Sequence, residues 1–166
     1  MRIGPVSAIV MAVGVCGLLQ PAGAQEAKHL FFEGDMVRGA QQGAPGPFCV
    51  LDNQFKHLEK VVWRIRVLDN SGKTLDDKGL KSLIVELPDG QKLNARYSQH
   101  PPPSQGPAAD YFWSAIWIIP TGYPTGSLSY KVVATELDGK AQTWEPFKTK
   151  PALLTVVDGD IEIRKP

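Results

Sequence analysis

Three histidines and two cysteines are the side chains in this chain best suited to nucleophilic or metal chemistry, and their spacing limits what they can do. His29, His57 and His100 stand in unrelated contexts, and none lies in a local signature that joins a nucleophile to its base. The chain has no glycine-rich phosphate loop, no C-x-x-C-H haem site and no H-E-x-x-H zinc helix. Neither enzymatic activity nor a cofactor is expected. Cys49, His57 and His100 are ligand types that copper or zinc accepts. A blue-copper site, however, draws Cys, His and Met together late in a chain, whereas Cys49 is early and Met36 is the only methionine after residue 24. No metal site is expected, and a copper or zinc carrier ranks third among the functional readings. Asp69, Asn70, Asp76 and Asp77 lack the D-x-[DN]-x-[DN]-G order of a calcium loop and read as solvated turns.

Aromatic residues offer a second chemistry, the stacking or burial of a ligand. Trp63 alternates with aliphatic residues and reads as core. Tyr111, Trp113, Trp117 and Tyr123 crowd one strand and its ends, beside a proline-rich stretch from Ser98 to Asp110 that contains His100. Two arrangements are open: the rings fill the space between two sheets, or they form a platform that stacks on a sugar or takes a partner's side chain. Long loops on a rigid scaffold are common binding places, so His100, Tyr111, Trp113, Trp117 and Tyr123 are the expected partner-binding residues.

The elements that must position these residues are strands. Val61, Trp63, Ile65 and Val67 fall on one face and Arg64 and Arg66 on the other, the period-2 pattern of a half-buried strand. Arg64, Arg66 and Lys131 read as a solvated sheet face, with docking of an acidic partner as the alternative. Asp69 to Lys73 supplies a turn. Leu83, Val85 and Leu87 alternate, Pro88-Asp89-Gly90 turns the chain, and Leu93, Ala95 and Tyr97 alternate again as a hairpin. Ser98 to Asp110 is expected as a long loop, and Tyr111 to Ile119, apolar on both faces, as a central strand. Leu128, Tyr130, Val132 and Ala134 form another alternation, Asp138-Gly139 a hairpin turn into Gln142 to Phe147, and Leu153 to Val157 and Ile161 to Ile163 two weaker runs. Leu30 to Phe32 and Met36-Val37 read as short edge pieces, and Gln41 to Pro47 as a loop. About eight or nine strands with no helical stripe predict an all-β, antiparallel β-sandwich in a single domain.

The beginning of the chain sets the expected compartment. Arg2 precedes a charge-free apolar run from Val6 to Leu19, and Ala22-Gly23-Ala24 fits a cleavage site, so residues 1–24 read as a signal peptide and 25–166 as the domain. The run is shorter than the roughly 20 apolar residues a membrane span needs. Val15 before Cys16 fits lipoprotein processing poorly, so no membrane anchor is expected. Removing Arg2 leaves 18 − 1 = 17 Lys and Arg against 17 Asp and Glu, and that balance argues against nucleic acid as a partner. Cys49 is then the one mature cysteine, which excludes an internal disulfide; it reads as a small buried residue at a strand start.

Pro124-Thr125-Gly126, followed by Tyr130 to Ala134 and Asp138-Gly139, resembles the late strands of bacterial secreted immunoglobulin-like and fibronectin-III-like domains. The resemblance implies an immunoglobulin-like scaffold, and such scaffolds host adhesion, carbohydrate binding, chaperoning and assembly alike. Together these readings predict a periplasmic or secreted non-catalytic module that binds a protein partner in the cell envelope as a small accessory subunit. A carbohydrate-binding domain using surface aromatics is the alternative.

Overall fold

The computed structural model describes residues 29–163; the expected signal peptide at 1–24, with Cys16, lies outside the described residues. Its first strands are β1 (Phe31–Arg38), β2 (Gln54–His57), β3 (Lys60–Leu68), β4 (Leu80–Glu86), β5 (Lys92–Asn94) and β6 (Arg96–His100). They are followed by β7 (Asp110–Ile118), β8 (Gly126–Leu128), β9 (Lys131–Glu136), β10 (Ala141–Trp144) and β11 (Leu154–Asp160). No α-helix occurs among the described residues.

Alternation builds the centre. In β3 the side chains of Val61, Trp63, Ile65 and Val67 are buried and the residues between them are half-buried, because successive side chains leave a strand on opposite faces. Antiparallel neighbours extend this strand into a sheet of order β1-β3-β7-β6. A second antiparallel sheet has the order β10-β9-β4-β5. The third, β2-β11-β8, joins β11 to β2 in parallel and to β8 antiparallel. Trp63, Ile65, Trp113, Ala115 and Trp117 of the first sheet share one core with Leu83, Val85, Val132 and Ala134 of the second and Phe55, Leu154 and Val156 of the third. Each fully buried aliphatic or phenylalanine side chain contributes about 1.5–3 kcal/mol. The result is an all-β sandwich.

Two sequence runs that read as single strands are divided between sheets. Ala95 donates its amide to the Leu83 carbonyl in the second sheet, and the next residue, Arg96, already pairs with Ser114 in the first. Leu93 therefore belongs to β5 and Tyr97 to β6. Leu128 likewise pairs with Leu154, whereas Lys131 pairs with Glu86. The alternation runs through both corners because each strand keeps one face toward the shared core; it reports burial, not sheet membership.

The expected loop from Ser98 to Asp110 is shorter than the sequence suggested. Ser98 to His100 pair with Phe112 to Asp110, so β6 and β7 form a hairpin joined by residues 101–109 and a short 3-10 turn at Pro103–Gln105. The two expected edge pieces before residue 38 are one continuous strand, β1, at the edge of its sheet. Strand β2 alternates, with Phe55 and His57 buried between exposed Gln54 and Lys56, but at four residues the pattern is too short to stand out in the sequence.

Candidate functional site

An edge of the sandwich left open between β1 and β10 positions the best candidate site. Among the described strands, β1 pairs with β3 and β10 with β9, each at the edge of its sheet. The direction of each backbone group in β1 follows from alternation along an antiparallel ladder. Gly39 donates to the Lys60 carbonyl on the β3 side, whereas Arg38 donates to Val50, and Cys49 and Asp52 donate to Arg38 and Met36, on the opposite side. Even-numbered residues of β1 thus turn their amides and carbonyls away from β3. Residues 49–52 cover this side near Met36 and Arg38, and at the other end Leu30 donates its amide to Gln142 Oε1 at 2.9 Å. Between those two fastenings, Phe32 and Gly34 face the gap.

The gap is a groove of about 460 Å³ lined by Gly34, Met36, Leu51, Tyr130, Trp144 and Phe147. Trp63, which lines a small adjoining cavity with Gly34, Tyr130 and Trp144, meets Tyr130 edge-on, with ring centres 5.6 Å apart, and Tyr130 in turn lies 6.3 Å from Trp144. Burial pushes the Tyr130 hydroxyl pKa up to about 12, so it stays protonated over any ordinary pH. Past the end of β10, Phe147 is 81% exposed, and across the groove Leu51 is 65% exposed. Two large apolar side chains thus project into solvent beside an apolar floor.

Polar side chains around the groove are already engaged. Both Asp35 oxygens accept from Arg64, at 2.7 and 2.6 Å, and this bond raises the Arg64 pKa above its usual value. Asp52 accepts from Arg38 at 2.7 Å and from the Gln54 amide at 3.0 Å. The Asn53 amide nitrogen donates to the Lys150 carbonyl at 2.8 Å. The groove can therefore offer apolar contact and the backbone of β1, but few uncommitted side-chain groups for hydroxyls.

Of the sequence-predicted site residues, Trp117 and Tyr123 meet in ring contact, but the five do not share one exposed surface. Trp113 and Trp117 are each only 4% exposed and belong to the core, which corrects the expectation of a surface platform on β7. The cause is parity: Trp113, Ala115 and Trp117 share the face of β7 that meets the second sheet, and Trp113 also donates its indole N–H to the Leu75 carbonyl at 2.9 Å. Tyr111 is exposed and stacks on half-buried Tyr97. His100 is exposed at the end of β6 and contacts the Phe112 ring. Tyr123 is half-buried against Trp117, and burial first, then Asp89, raises its pKa to about 12. Sequence reasoning missed the groove residues Leu51, Trp144 and Phe147. The available signal was an aromatic pair, Trp144 at the end of a hairpin strand and Phe147 just past Pro146.

The remaining candidates are also placed. Cys49 is exposed in the loop after β1 with φ +57, so the reading of a buried residue at a strand start is corrected. The glycine- and proline-rich segment that starts at Gly39 carries it over the surface. His57 is buried, with Nε2 2.8 Å from the Tyr123 carbonyl and Nδ1 3.4 Å from Asp160. Among the described residues no group of three or more His, Cys, Asp or Glu is placed to hold a metal ion. Arg66 pairs with Asp110 and Lys131 with Glu145, so each cation considered for an acidic partner has an acidic neighbour. Comparison of the chain with protein-family models, curated proteins and solved structures finds no match.

Proposed function

We propose that this chain is an exported, non-catalytic, immunoglobulin-like module that binds a protein partner in the cell envelope as a small accessory subunit, with the groove between β1 and β10 as its contact. The observation that carries this reading is the exposure of Phe147 and Leu51 on either side of an apolar floor at an open sheet edge. Large apolar side chains exposed beside a groove favour association, because covering them removes apolar area from water. The groove takes the place of the platform on β7. The glycan alternative is less well supported, since a sugar site needs converging free polar groups and Asp35, Asp52 and Asn53 are committed within the fold.

Photocrosslinking in the native envelope tests the reading. A benzoylphenylalanine at position 147 should yield a discrete protein adduct, and the same probe at Leu137, exposed in the β9–β10 turn, should not. Leu51→Ser should weaken the adduct. Absence of any adduct from position 147, or glycan binding with no protein adduct, would overturn it.

A further inference from the structure

Resting on that reading, we propose that the partner enters the groove as an extended strand that adds to the free edge of β1, carrying apolar residues at alternate positions and a lysine or arginine. Three observations point to this occupant. The first is backbone chemistry: the amides and carbonyls of Phe32 and Gly34 face away from β3, and among the described residues none meets them. An unpaired edge offers a main-chain template to any extended segment.

The second is that this edge already accepts an added strand. Residues 49–52 bond to Arg38 and Met36 from the outer side, with an antiparallel bridge between Val37 and Leu51. After Asp52 the chain turns away, so between the fastened Met36 carbonyl and Leu30 amide the edge is open at Phe32 and Gly34. At about 3.3 Å per residue, residues 31–35 between those fastenings span roughly 16 Å, enough for a short strand. The aromatic floor then lies under alternate side chains of the incoming strand, with Tyr130, Trp144 and Phe147 to receive them.

The third is charge. Asp35 and Asp52 line the groove, and Glu33 stands next to it in a neighbouring cavity that Asp35, Arg64 and Arg66 also line. Arg64 and Arg38 answer the two aspartates, but the cation nearest Glu33 is Arg66 at 3.9 Å. A basic residue on the partner would complete Glu33. The same acids disfavour a second copy of this chain, because pairing β1 with β1 would bring Glu33 and Asp35 toward their own counterparts.

Synthetic peptides test the proposal on the mature chain. The probe is a fluorescein-labelled octapeptide of alternating leucine and threonine with one central lysine. Saturable binding is expected, together with slowing of hydrogen exchange at the Phe32 and Gly34 amides. Methylating alternate backbone nitrogens of the peptide should weaken binding about tenfold, the scale of losing one or two backbone hydrogen bonds. Replacing its lysine by glutamate, or Phe147→Ala in the protein, should also weaken it. No binding, equal binding of the methylated peptide, or binding that leaves both amides unprotected would each overturn the strand. Protection of those amides by concentration alone would assign the edge to a second copy and overturn it as well. A protein adduct from position 147 with Phe32 and Gly34 unprotected would sink the strand and leave the partner-binding reading standing; no adduct would sink that reading itself.

Discussion

The two lateral edges of the sandwich end in opposite ways. On one side the chain crosses from the second sheet to the first at Ala95, so β5 and β6 close the edge by covalent continuity. The segment after β3 adds to this closure: Leu75 bonds through its amide to Val67 and through its carbonyl to the Trp113 indole. On the other side the Leu30 amide, just before β1, bonds to Gln142 of β10. Both sides carry aromatic rings, yet Trp113 is core at the closed edge and Phe147 is solvated at the open one. Position relative to a crossing strand, not aromatic content, separates a ring that holds the fold together from one that can receive a partner.

The largest expected effect tests the closed side. Trp63→Ala and Trp113→Ala should each lower unfolding free energy by about 3–5 kcal/mol in chemical denaturation, since both leave large cavities in one core. A cost below about 1 kcal/mol for Trp113→Ala would show that the closed edge yields easily and would erase the contrast. Next comes the Leu30–Gln142 clasp on the open side. Gln142 also donates to Glu136, which is only 2% exposed, so Gln142→Ala removes a partner from a buried carboxylate as well as from Leu30. A loss of about 1–3 kcal/mol is expected, with faster exchange of the Leu30 amide. Unchanged exchange there would mean that β1 and β10 are held apart or together by something else.

Much of the closed side was legible in the sequence and most of the open side was not. The alternation of Val61, Trp63, Ile65 and Val67 fixed which face of β3 is buried, and Pro88-Asp89-Gly90 marked the β4–β5 hairpin on the closed side; on the open side only the Asp138-Gly139 turn into β10 was legible. Periodicity failed where the chain changes sheets at Ala95 and at Ser129, because the side chains keep facing one core through each corner. It also left Trp113 and Trp117 open between core and platform; a strand apolar on both faces does not say which face is covered. Ile116 and Ile118 prove to be the exposed ones. The groove was invisible because its walls come from residues near 34, 51, 130 and 147, joined only by tertiary pairing.

Acid should act on the closed side through its turns. The Asp69 carboxyl accepts from the Ser71 hydroxyl and from the Ser71 and Lys73 amides, and these bonds hold its pKa below the usual carboxylate value of 3.8. Asp76 is lowered in the same way by the Lys78 and Gly79 amides. A folded pKa below the unfolded one means that this contribution is complete above pH 3.8 and is lost as pH falls through the lowered value. Amides of residues 71–79 should therefore exchange relatively faster below that pH, once the intrinsic pH dependence is removed, and Asp69→Asn should blunt the change near Ser71 and Lys73. A pH-independent pattern in both proteins would show that the turns do not depend on these carboxylates.

The smallest expected effect on stability bears most directly on the open edge. Phe147 is exposed and lies beyond the last paired residue of β10, so Phe147→Ala removes little packing and should change unfolding free energy by no more than about 0.5 kcal/mol. The same substitution should reduce crosslinking of a partner through the groove, read from a probe placed at Leu51 instead. Stability and association would then respond oppositely at the two edges: Trp113→Ala destabilises the chain, whereas Phe147→Ala leaves its stability intact and makes it less able to bind. If Phe147→Ala instead destabilised the fold by several kcal/mol, the ring would be covering the core in solution, and the open edge would be closed by its own side chain.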